Sequence, residues 1–172
     1  MKHEKIPIRR LNMMNAHGFV RTVANAFDNA SWVAERTFHL HPFTSLDDLQ
    51  EKMCRTVQGA SDTEKLELIR AHGDLFRPSQ YPPTPDTLAE RAAAGIDSMS
   101  ADEGEAYQAY NDVYREEFDF PFVICTRDNT LDAILAAYPR RLKHTRAREI
   151  DVNIEELCKI ARLRLADAIA AD

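Results

Sequence analysis

The chain has 172 residues, of which 44% are hydrophobic and 29% charged, and its formal net charge is −6. This length and composition are typical of one folded globular domain, here residues 1–172, and they exclude a wholly disordered protein. The acidic balance argues against a general nucleic-acid binder, which would carry a basic face, but it is compatible with a basic pocket for a small anion.

Glycine is scarce in this chain, with 5 residues, and the alternating apolar pattern of strands is almost absent. Helical spacing recurs instead. Phe19, Val20, Val23 and Phe27 share one face of a first helix that should stop near residues 28–29. The pattern predicts an all-α protein.

Capping residues mark the next three helix starts. Ser31 is the predicted N-cap of a helix in which Glu35 completes a capping box. Ser45 precedes a helix with an apolar stripe, and Ser61 opens another helix that Gly73 should end. The stripe after Ser45 consists of Leu46, Leu49, Met53 and Val57.

The second half begins with a proline-rich loop and continues with helices. The segment RPSQYPPTPD, with four prolines, predicts an irregular loop inside the domain. Asp86 or Thr87 is expected to cap the next helix, which runs toward Gly95. Ser100 caps a longer helix that ends near Glu117.

An extended segment near residues 118–126 interrupts the helices. Its apolar density and its proline, in the run FDFPFVIC, indicate a buried chain without helical spacing. Residues 130–143 and 147–170 predict two final helices. The fold class is therefore all-α, a single-domain bundle of about seven to nine helices with one buried extended segment.

The cysteines and the absence of apolar targeting segments favour the cytoplasm. Cys54, Cys125 and Cys158 form no CxxC pair, so the sequence predicts neither a zinc knuckle nor a redox motif. The first residues, MKHEKIPIRR, are charged and lack the apolar core of a signal peptide. No stretch approaches the roughly 20 apolar residues of a membrane span. We therefore expect a protein of the reduced cytoplasm that contacts no membrane.

His72 is the first candidate for chemistry. It lies at a predicted helix end, and an imidazole suits acid–base work because it changes charge near neutral pH. The alternative is that it caps the helix C-terminus. Among the other histidines only His39 and His41 have metal-ligand spacing, and they lack a third ligand, so no metal site is predicted.

Glu90 is the second candidate, one turn inside the helix expected after Asp86 or Thr87. The helix dipole alone favours a carboxylate in a first turn. The same helix N-terminus, with Thr87 and Arg91, is also suited to an anionic or amide-rich ligand.

Arg164 stands out by periodicity in the last predicted helix. At about 100° per residue it falls inside an apolar stripe, whereas Arg162 falls at the edge of that stripe. A buried guanidinium needs a partner, either a protein carboxylate or an anionic ligand, and the sequence leaves both open. The stripe consists of Ile150, Ile154, Leu157, Ile160, Ala161 and Ala168.

The backbone of the extended segment is a fourth candidate. Its N–H and C=O groups are not paired within a helix, so they must meet other partners. The favoured interpretation is a core segment bonded to neighbouring backbone or side chains. A polar heterocyclic ligand is the alternative.

Several segments of the chain together carry a family pattern. They are LN (11–12), Phe19, SWVAER (31–36), AHGDL (71–75), TLAERAAAG (87–95), AYNDVYREEFDFPFVIC (109–125) and IARLRL (160–165). In their order and approximate spacing they resemble the family of 2-oxo-4-hydroxy-4-carboxy-5-ureidoimidazoline (OHCU) decarboxylases. The specific part is the combination of a histidine before a helix break, an S/TxxE helix start, and FxFPF followed by Val or Ile.

This resemblance implies an all-α homodimer that converts OHCU to (S)-allantoin in urate degradation, as a carboxy-lyase without a metal or an organic cofactor. The implied partners are a small anionic ureidoimidazoline substrate and a second copy of the chain, without nucleic acid. The resemblance places the catalytic roles on His72, Glu90 and Arg164, with Arg162 in reserve. The implied substrate-binding positions are Gly73, Thr87, Leu88, Ala89, Arg91, Phe122, Val123, Ile124, Cys125 and Thr126.

The chain departs from the family's pattern at four positions. Gly73 stands for the usual proline, which loosens the turn that orients His72. Thr87 stands for serine and keeps the hydroxyl, and Asp119 stands for a usual glycine. Arg91 stands for glutamine, so an amide that donates and accepts becomes a cation that only donates. Substrate contacts at Arg91 should therefore differ from those of the family.

Three other functions compete with decarboxylation. A helical module that binds a small ligand, or regulates, would keep the fold without catalysis. A structural or interaction protein predicts that Arg164 meets an internal carboxylate. A helical nucleic-acid-binding domain is disfavoured by the acidic balance.

Overall fold

The structure is a computed structural model that describes residues 4–76 and 81–171. Over these residues it contains nine α-helices, three 3₁₀ turns and no strand, so the all-α prediction is confirmed. The helices are α1 (Ile8–Asn12), α2 (Ala16–Val23), α3 (Ser31–Phe38), α4 (Leu46–Gln58), α5 (Asp62–His72), α6 (Pro85–Ala93), α7 (Ala101–Phe118), α8 (Leu131–Arg141) and α9 (Arg146–Ala168). The 3₁₀ turns are Ala24–Ala26, Ile96–Ser98 and Thr126–Asp128.

The chain divides into two compact units. The first comprises Met1–Leu68 and Cys158–Asp172, and the second comprises Ile69–Leu157. Helices α5 and α9 therefore each contribute residues to both units. The single domain expected from the length stays a prediction.

Helices α2, α3 and α4 pack in chain order in the first unit. Phe19 on α2 stacks on Phe43, with ring centroids 5.5 Å apart. The Asn12 side chain holds Phe43 in place, because its Nδ2 donates to the Phe43 carbonyl and its Oδ1 accepts from the Phe43 N–H, both at 2.8 Å. A parallel bridge between Ile6 and Ile169 joins the N-terminal segment to the residues after α9.

In the second unit α7 packs against α8 around an aromatic cluster. Tyr138 stacks on Phe122 with ring centroids 3.9 Å apart, and Tyr114 meets Phe122 edge-on at 5.1 Å. Residues 119–125 run without helix between α7 and the next 3₁₀ turn, and residues 120–125 are buried. The predicted buried extended segment is therefore confirmed, and its aromatic side chains complete this core.

Several predicted helix ends are confirmed. Ser45 caps α4 and Ser100 caps α7, each accepting the N–H of the residue three positions on. Gly73 ends α5 and has a φ of 84°. Asp119 follows α7 with a φ of 59°, a left-handed conformation that aspartate tolerates better than most residues. Part of the predicted proline-rich loop, residues 77–80, lies outside the described residues.

Two predicted N-caps are wrong. Ser31 is the first residue of α3 rather than its cap, and its hydroxyl bonds to a glutamate side chain one turn on. Thr84 caps α6 in place of Asp86 or Thr87. The helix starts earlier than predicted because Pro85 occupies its first position, where a missing N–H costs nothing and the fixed φ is helical.

Candidate functional site

His72 closes α5 and is half-buried. Gly73 follows in the left-handed region that favours glycine, with a φ of 84°. A proline, the residue usual in the resembled family at this position, has its φ fixed at about −65° and is incompatible with this turn. The turn after His72 therefore differs from a proline-containing one.

Helix α6 carries five of the predicted site positions, and they face different surroundings. Thr87 is buried, whereas Leu88 and Ala89 are exposed. Glu90 and Arg91 are half-buried. The hydroxyl candidate, Thr87, is thus shielded from solvent, whereas the acidic candidate, Glu90, is only partly shielded.

Arg91 is held close to the end of its own helix. Its Nη2 lies 3.5 Å from Asp97 Oδ1. Its Nε is buried and has no hydrogen bond within residues 4–76 and 81–171. A guanidinium carries only donors, so any further partner of this nitrogen must be an acceptor.

A cleft of about 750 Å³ opens in the second unit, where α6 packs against the 3₁₀ turn Thr126–Asp128. It brings together two predicted site residues, Glu90 and Thr126. Arg127 adds a cation to the lining, whereas Glu103 and Asp132 add carboxylates. The remaining lining residues are Ala93, Ala94, Asn129, Thr130 and Leu131. This mixture of donors and acceptors suits a small polar ligand.

Side chains of α8 and α9 form hydrogen bonds with backbone groups of the extended segment. The Val123 N–H donates to Asn153 Oδ1 at 2.8 Å, and the Val123 carbonyl accepts from Arg141 Nη1. The Cys125 N–H donates to Glu156 Oε2 at 2.8 Å. For these three groups the core interpretation of the segment describes the structure. They fix the backbone of the predicted binding stretch from Phe122 to Thr126.

A buried polar network, which sequence reasoning missed, supports this segment. Glu149 is fully buried and accepts from Arg141 Nε at 2.9 Å, from His144 Nδ1 at 2.7 Å and from the Tyr114 hydroxyl. Arg141 Nη2 also donates to Asn153 Oδ1 at 2.7 Å. A sequence signal existed, because Arg141 lies at helical spacing from apolar residues of α8, as Arg164 does on α9. Those residues are Ile134, Ala137 and Tyr138.

The Cys125 thiol, although it lies in the predicted binding stretch, is unsuited to act as a nucleophile. Burial raises the pKa of Cys125 to about 11, and the nearby Asp128 carboxylate adds to the effect. The thiol is therefore protonated at neutral pH, and the thiolate is the reactive form.

Arg164 lies in the first unit, buried within the stripe of α9 as the periodicity predicts. Its Nη1 donates to Asp28 Oδ1 at 2.7 Å and to the Asn25 carbonyl at 3.1 Å. Of the two partners left open by the sequence, a protein carboxylate is thus present, and Asp28 was not foreseen. Arg162, the reserve candidate, is exposed.

The predicted site residues are divided between the two units. His72, Glu90 and the stretch from Phe122 to Thr126 belong to the second unit, whereas Arg164 belongs to the first. Each unit arranges its own residues as described above. The convergence of all of them on one ligand stays a prediction.

In the described parts of the chain no three His, Cys, Asp or Glu side chains are grouped so as to hold a metal ion. His41, one of the two histidines with metal-ligand spacing, places its Nδ1 2.6 Å from the Phe38 carbonyl. None of the helices within residues 4–76 and 81–171 is both long and apolar enough to span a membrane.

Comparison with known proteins gives a consistent result. The family model described as OHCU decarboxylase matches residues 12–166. A 2-oxo-4-hydroxy-4-carboxy-5-ureidoimidazoline decarboxylase of Haloferax volcanii is 37% identical over 170 residues, which is 99% of each chain. A protein of the same name from Halalkalicoccus jeotgali is 36% identical over 163 residues, 95% of this chain and 92% of the relative.

Solved structures share the fold. A crystal structure of (S)-allantoin synthase superimposes with a TM-score of 0.76 at 25% identity, covering 96% of this chain and 54% of the other, so this chain spans about half of that protein. A crystal structure of OHCU decarboxylase in the presence of (S)-allantoin has a TM-score of 0.65 at 21% identity, covering 81% of this chain and 91% of the other. This second similarity concerns the fold alone.

Proposed function

Since the chain belongs to the OHCU decarboxylase family, we propose that it acts as a carboxy-lyase that converts OHCU to (S)-allantoin in urate degradation. The observation that carries this proposal is the 36–37% identity to relatives of that name over nearly the full chain. The substrate is a small anionic ureidoimidazoline.

The chemistry needs an electron sink, and the substrate contains one. Its carboxylate and a hydroxyl share a ring carbon next to a C=N bond. When the bond to the carboxylate breaks, CO2 leaves and the electron pair forms a C=C bond, while the C=N pair moves to nitrogen, which takes up a proton from solvent to give an enol-amine. Protonation of the neighbouring ring carbon and loss of the hydroxyl proton then give the keto product. The protein has to orient the carboxylate across the ring and move two protons.

We assign the proton transfers to His72, with Glu90 as the acidic partner in the same unit. The imidazole would take the hydroxyl proton and return a proton to one face of the enol-amine, which makes the product a single enantiomer. Such general acid–base catalysis typically contributes about 10²–10⁴-fold to the rate. The half-buried position of His72 at a helix end supports this assignment.

We assign substrate orientation to Arg164 and to the segment from Phe122 to Thr126. Arg164 would hold the substrate carboxylate, and the backbone of the segment would contact the ring edge. The side chains that fix Val123 and Cys125 support this role, because a rigid backbone holds a ligand in one orientation. Arg91 changes the contacts at α6, since its guanidinium only donates.

The test is the kinetics of His72→Ala and His72→Gln. Turnover of freshly generated OHCU should fall by at least about 10²-fold in both variants, because the acid–base group is lost. Circular dichroism in the far ultraviolet should show a helical content equal to that of the unchanged protein. Near-normal turnover in both folded variants would remove His72 from the mechanism.

We also propose that the protein is a homodimer of the reduced cytoplasm. The family resemblance supports the dimer, and three cysteines that form no disulfide within the described residues are compatible with a reducing compartment. Light scattering during size-exclusion chromatography should give twice the mass of the chain. A monomer mass at micromolar concentration would contradict the dimer.

A further inference from the structure

Asp74, two residues after His72, is a buried carboxylate at the turn that ends α5. Its side chain is only 3% exposed. Its Oδ1 accepts from Asn111 Nδ2 at 2.9 Å and from the Phe76 N–H at 3.1 Å. This one oxygen therefore ties the turn both to α7 and to the following backbone.

The second carboxylate oxygen is engaged differently. Within the described residues Asp74 Oδ2 has no hydrogen bond, and Arg115 Nε lies 3.6 Å from it. The two hydrogen bonds that Asp74 accepts, from Asn111 and from the Phe76 N–H, thus both use Oδ1, and we call this pair of bonds the anchor. An amide at position 74 can keep that anchor, because its oxygen can occupy the same place.

The anchor has a fixed direction, because a hydrogen bond from Tyr138 fixes the orientation of the Asn111 amide. Asn111 is fully buried, and its Oδ1 accepts from the Tyr138 hydroxyl at 3.2 Å. Burial raises the pKa of Tyr138, with a further contribution from the Asp74 carboxylate, so the phenol keeps its proton and donates. The amide oxygen of Asn111 faces Tyr138, and the NH₂ group must then face Asp74.

These hydrogen bonds hold the residue that follows Gly73, the flexible position directly after His72. Gly73 is in the left-handed region, with a φ of 84°, and glycine restrains the backbone less than any other residue. The anchored Asp74 is the next residue along the chain. The backbone that carries His72 is therefore held on its N-terminal side by α5 and on its C-terminal side by the hydrogen-bonded Asp74.

We propose that Asp74 is a positioning residue that holds His72 in its catalytic orientation, supported by Asn111 and Tyr138. The inference rests on the catalytic role of His72 proposed above. Asp74 acts through the imidazole and touches no reacting atom. A buried and directional polar chain of this kind is suited to the task, because it specifies a single arrangement.

The experiment is a double-mutant cycle between positions 72 and 74. It measures kcat and KM for freshly generated OHCU, at enzyme concentrations high enough for the catalysed rate to exceed the rate of spontaneous OHCU decay. Asp74→Ala should lower kcat by about 10²-fold, the loss expected for a misplacement of about 1 Å, and leave KM within about twofold. In the His72→Ala background, Asp74→Ala should change kcat by less than about twofold, because the group being positioned is absent.

The conservative variant separates the anchor from bulk structure. Asp74→Asn keeps an oxygen for Asn111 and should restore kcat to within about threefold of the unchanged protein. An equal loss of kcat by Asp74→Ala in both backgrounds would overturn the inference. So would an Asp74→Asn variant as slow as Asp74→Ala.

If Asp74→Ala does not fold, Tyr138→Phe takes its place in the cycle, since it removes only the hydroxyl at the far end of the chain of bonds. A fall in kcat of about threefold or more that disappears in the His72→Ala background supports the inference, and an unchanged kcat overturns it. Near-normal turnover of His72→Ala itself would instead refute the proposed role of His72, so the two failures are distinguishable.

Discussion

A guanidinium inside an apolar stripe requires compensation of its charge, and Asp28 provides it for Arg164. The two side chains are 5% and 2% exposed, and Nη1 lies 2.7 Å from Oδ1. Both charges lose hydration on burial, and their attraction offsets this loss only while both are present. The pair therefore has a structural role that must be separated from any contact between Arg164 and substrate.

Two variants separate these roles. Arg164→Gln leaves the Asp28 carboxylate buried without its cation, so the free energy of unfolding should fall by about 3–5 kcal/mol. Adding Asp28→Asn removes the buried carboxylate charge that Arg164 no longer compensates, and it should recover much of that stability. Turnover should nevertheless stay about 10- to 100-fold low, because the proposed hydrogen bonds to the substrate carboxylate remain absent. Urea unfolding and initial rates measure the two effects, and normal turnover in a stable double variant would leave Arg164 a structural role only.

At this scale the sequence located Arg164 but not its partner. Periodicity alone placed the residue on a buried face of α9, because the stripe around it is long and regular. Asp28 lies 136 residues away in the chain, and no local pattern connects the two positions. A buried cation predicts an anionic partner, either a protein carboxylate or a ligand, and only the fold identifies Asp28.

Among the elements, the extended segment depends most on its neighbours. It has no ladder of its own, and side chains pair the N–H and the carbonyl of Val123 and of Cys125. The side-chain oxygen of Asn153 on α9 accepts from two partners, the Val123 N–H at 2.8 Å and Arg141 Nη2 at 2.7 Å, and its Nδ2 donates to the Tyr114 hydroxyl at 3.1 Å. One amide oxygen therefore joins three parts of the second unit.

Asn153→Leu should be strongly destabilising. It leaves a buried N–H and part of a buried guanidinium without an acceptor, and the free energy of unfolding should fall by about 3 kcal/mol. The Val123 amide should also exchange with solvent faster, as hydrogen exchange followed by NMR would show. Asp151→Ala, an exposed position two residues earlier on α9, is the matched control and should stay within about 0.5 kcal/mol. Equal stabilities of the two variants would contradict this account of the segment.

The elements themselves were largely predictable, and the errors have physical reasons. The helix after Ser45, the helix end at Gly73 and the N-cap at Ser100 follow from local chemistry, which the sequence contains in full. The cap of α6 was missed because Pro85 was counted with the loop prolines, although proline is favoured at a first helical position. Asn153 and Glu156 interrupt the apolar face of α9, but their partners lie in another element.

For the molecule as a whole, burial of phenols sets a limit on alkaline stability. Burial raises the pKa of Tyr114 and of Tyr138 well above the usual value for tyrosine. The folded state therefore holds these two protons more tightly than the unfolded state does. The resulting stabilisation is fully present below about pH 10, the value for an unfolded tyrosine, and is lost as the pH rises further.

Alkaline titration should show this coupling. Ionisation of the two buried phenols should coincide with the loss of helical circular dichroism above about pH 10, since they ionise by unfolding the protein. The phenolate absorbance and the far-ultraviolet signal measure the two events in one sample. Absorbance equivalent to all 5 tyrosines while the helical signal is still native would contradict the buried cluster.

The spatial assembly of the site is the part that sequence could not supply. Motif order and periodicity selected His72, Glu90 and Arg164, but they contain no distances. The structure brings Glu90 and Thr126 to one cleft within the second unit, and it gives Arg164 a partner within the first.

The most direct test of the decarboxylase account is the handedness of the product. OHCU generated by enzymatic oxidation of urate decays spontaneously to racemic allantoin, so circular dichroism of the reaction distinguishes catalysis from decay. With this protein present, the signal of (S)-allantoin should develop faster than OHCU decays alone, and with His72→Gln it should not. Racemic product at the uncatalysed rate in the presence of the folded, unchanged protein would contradict the account.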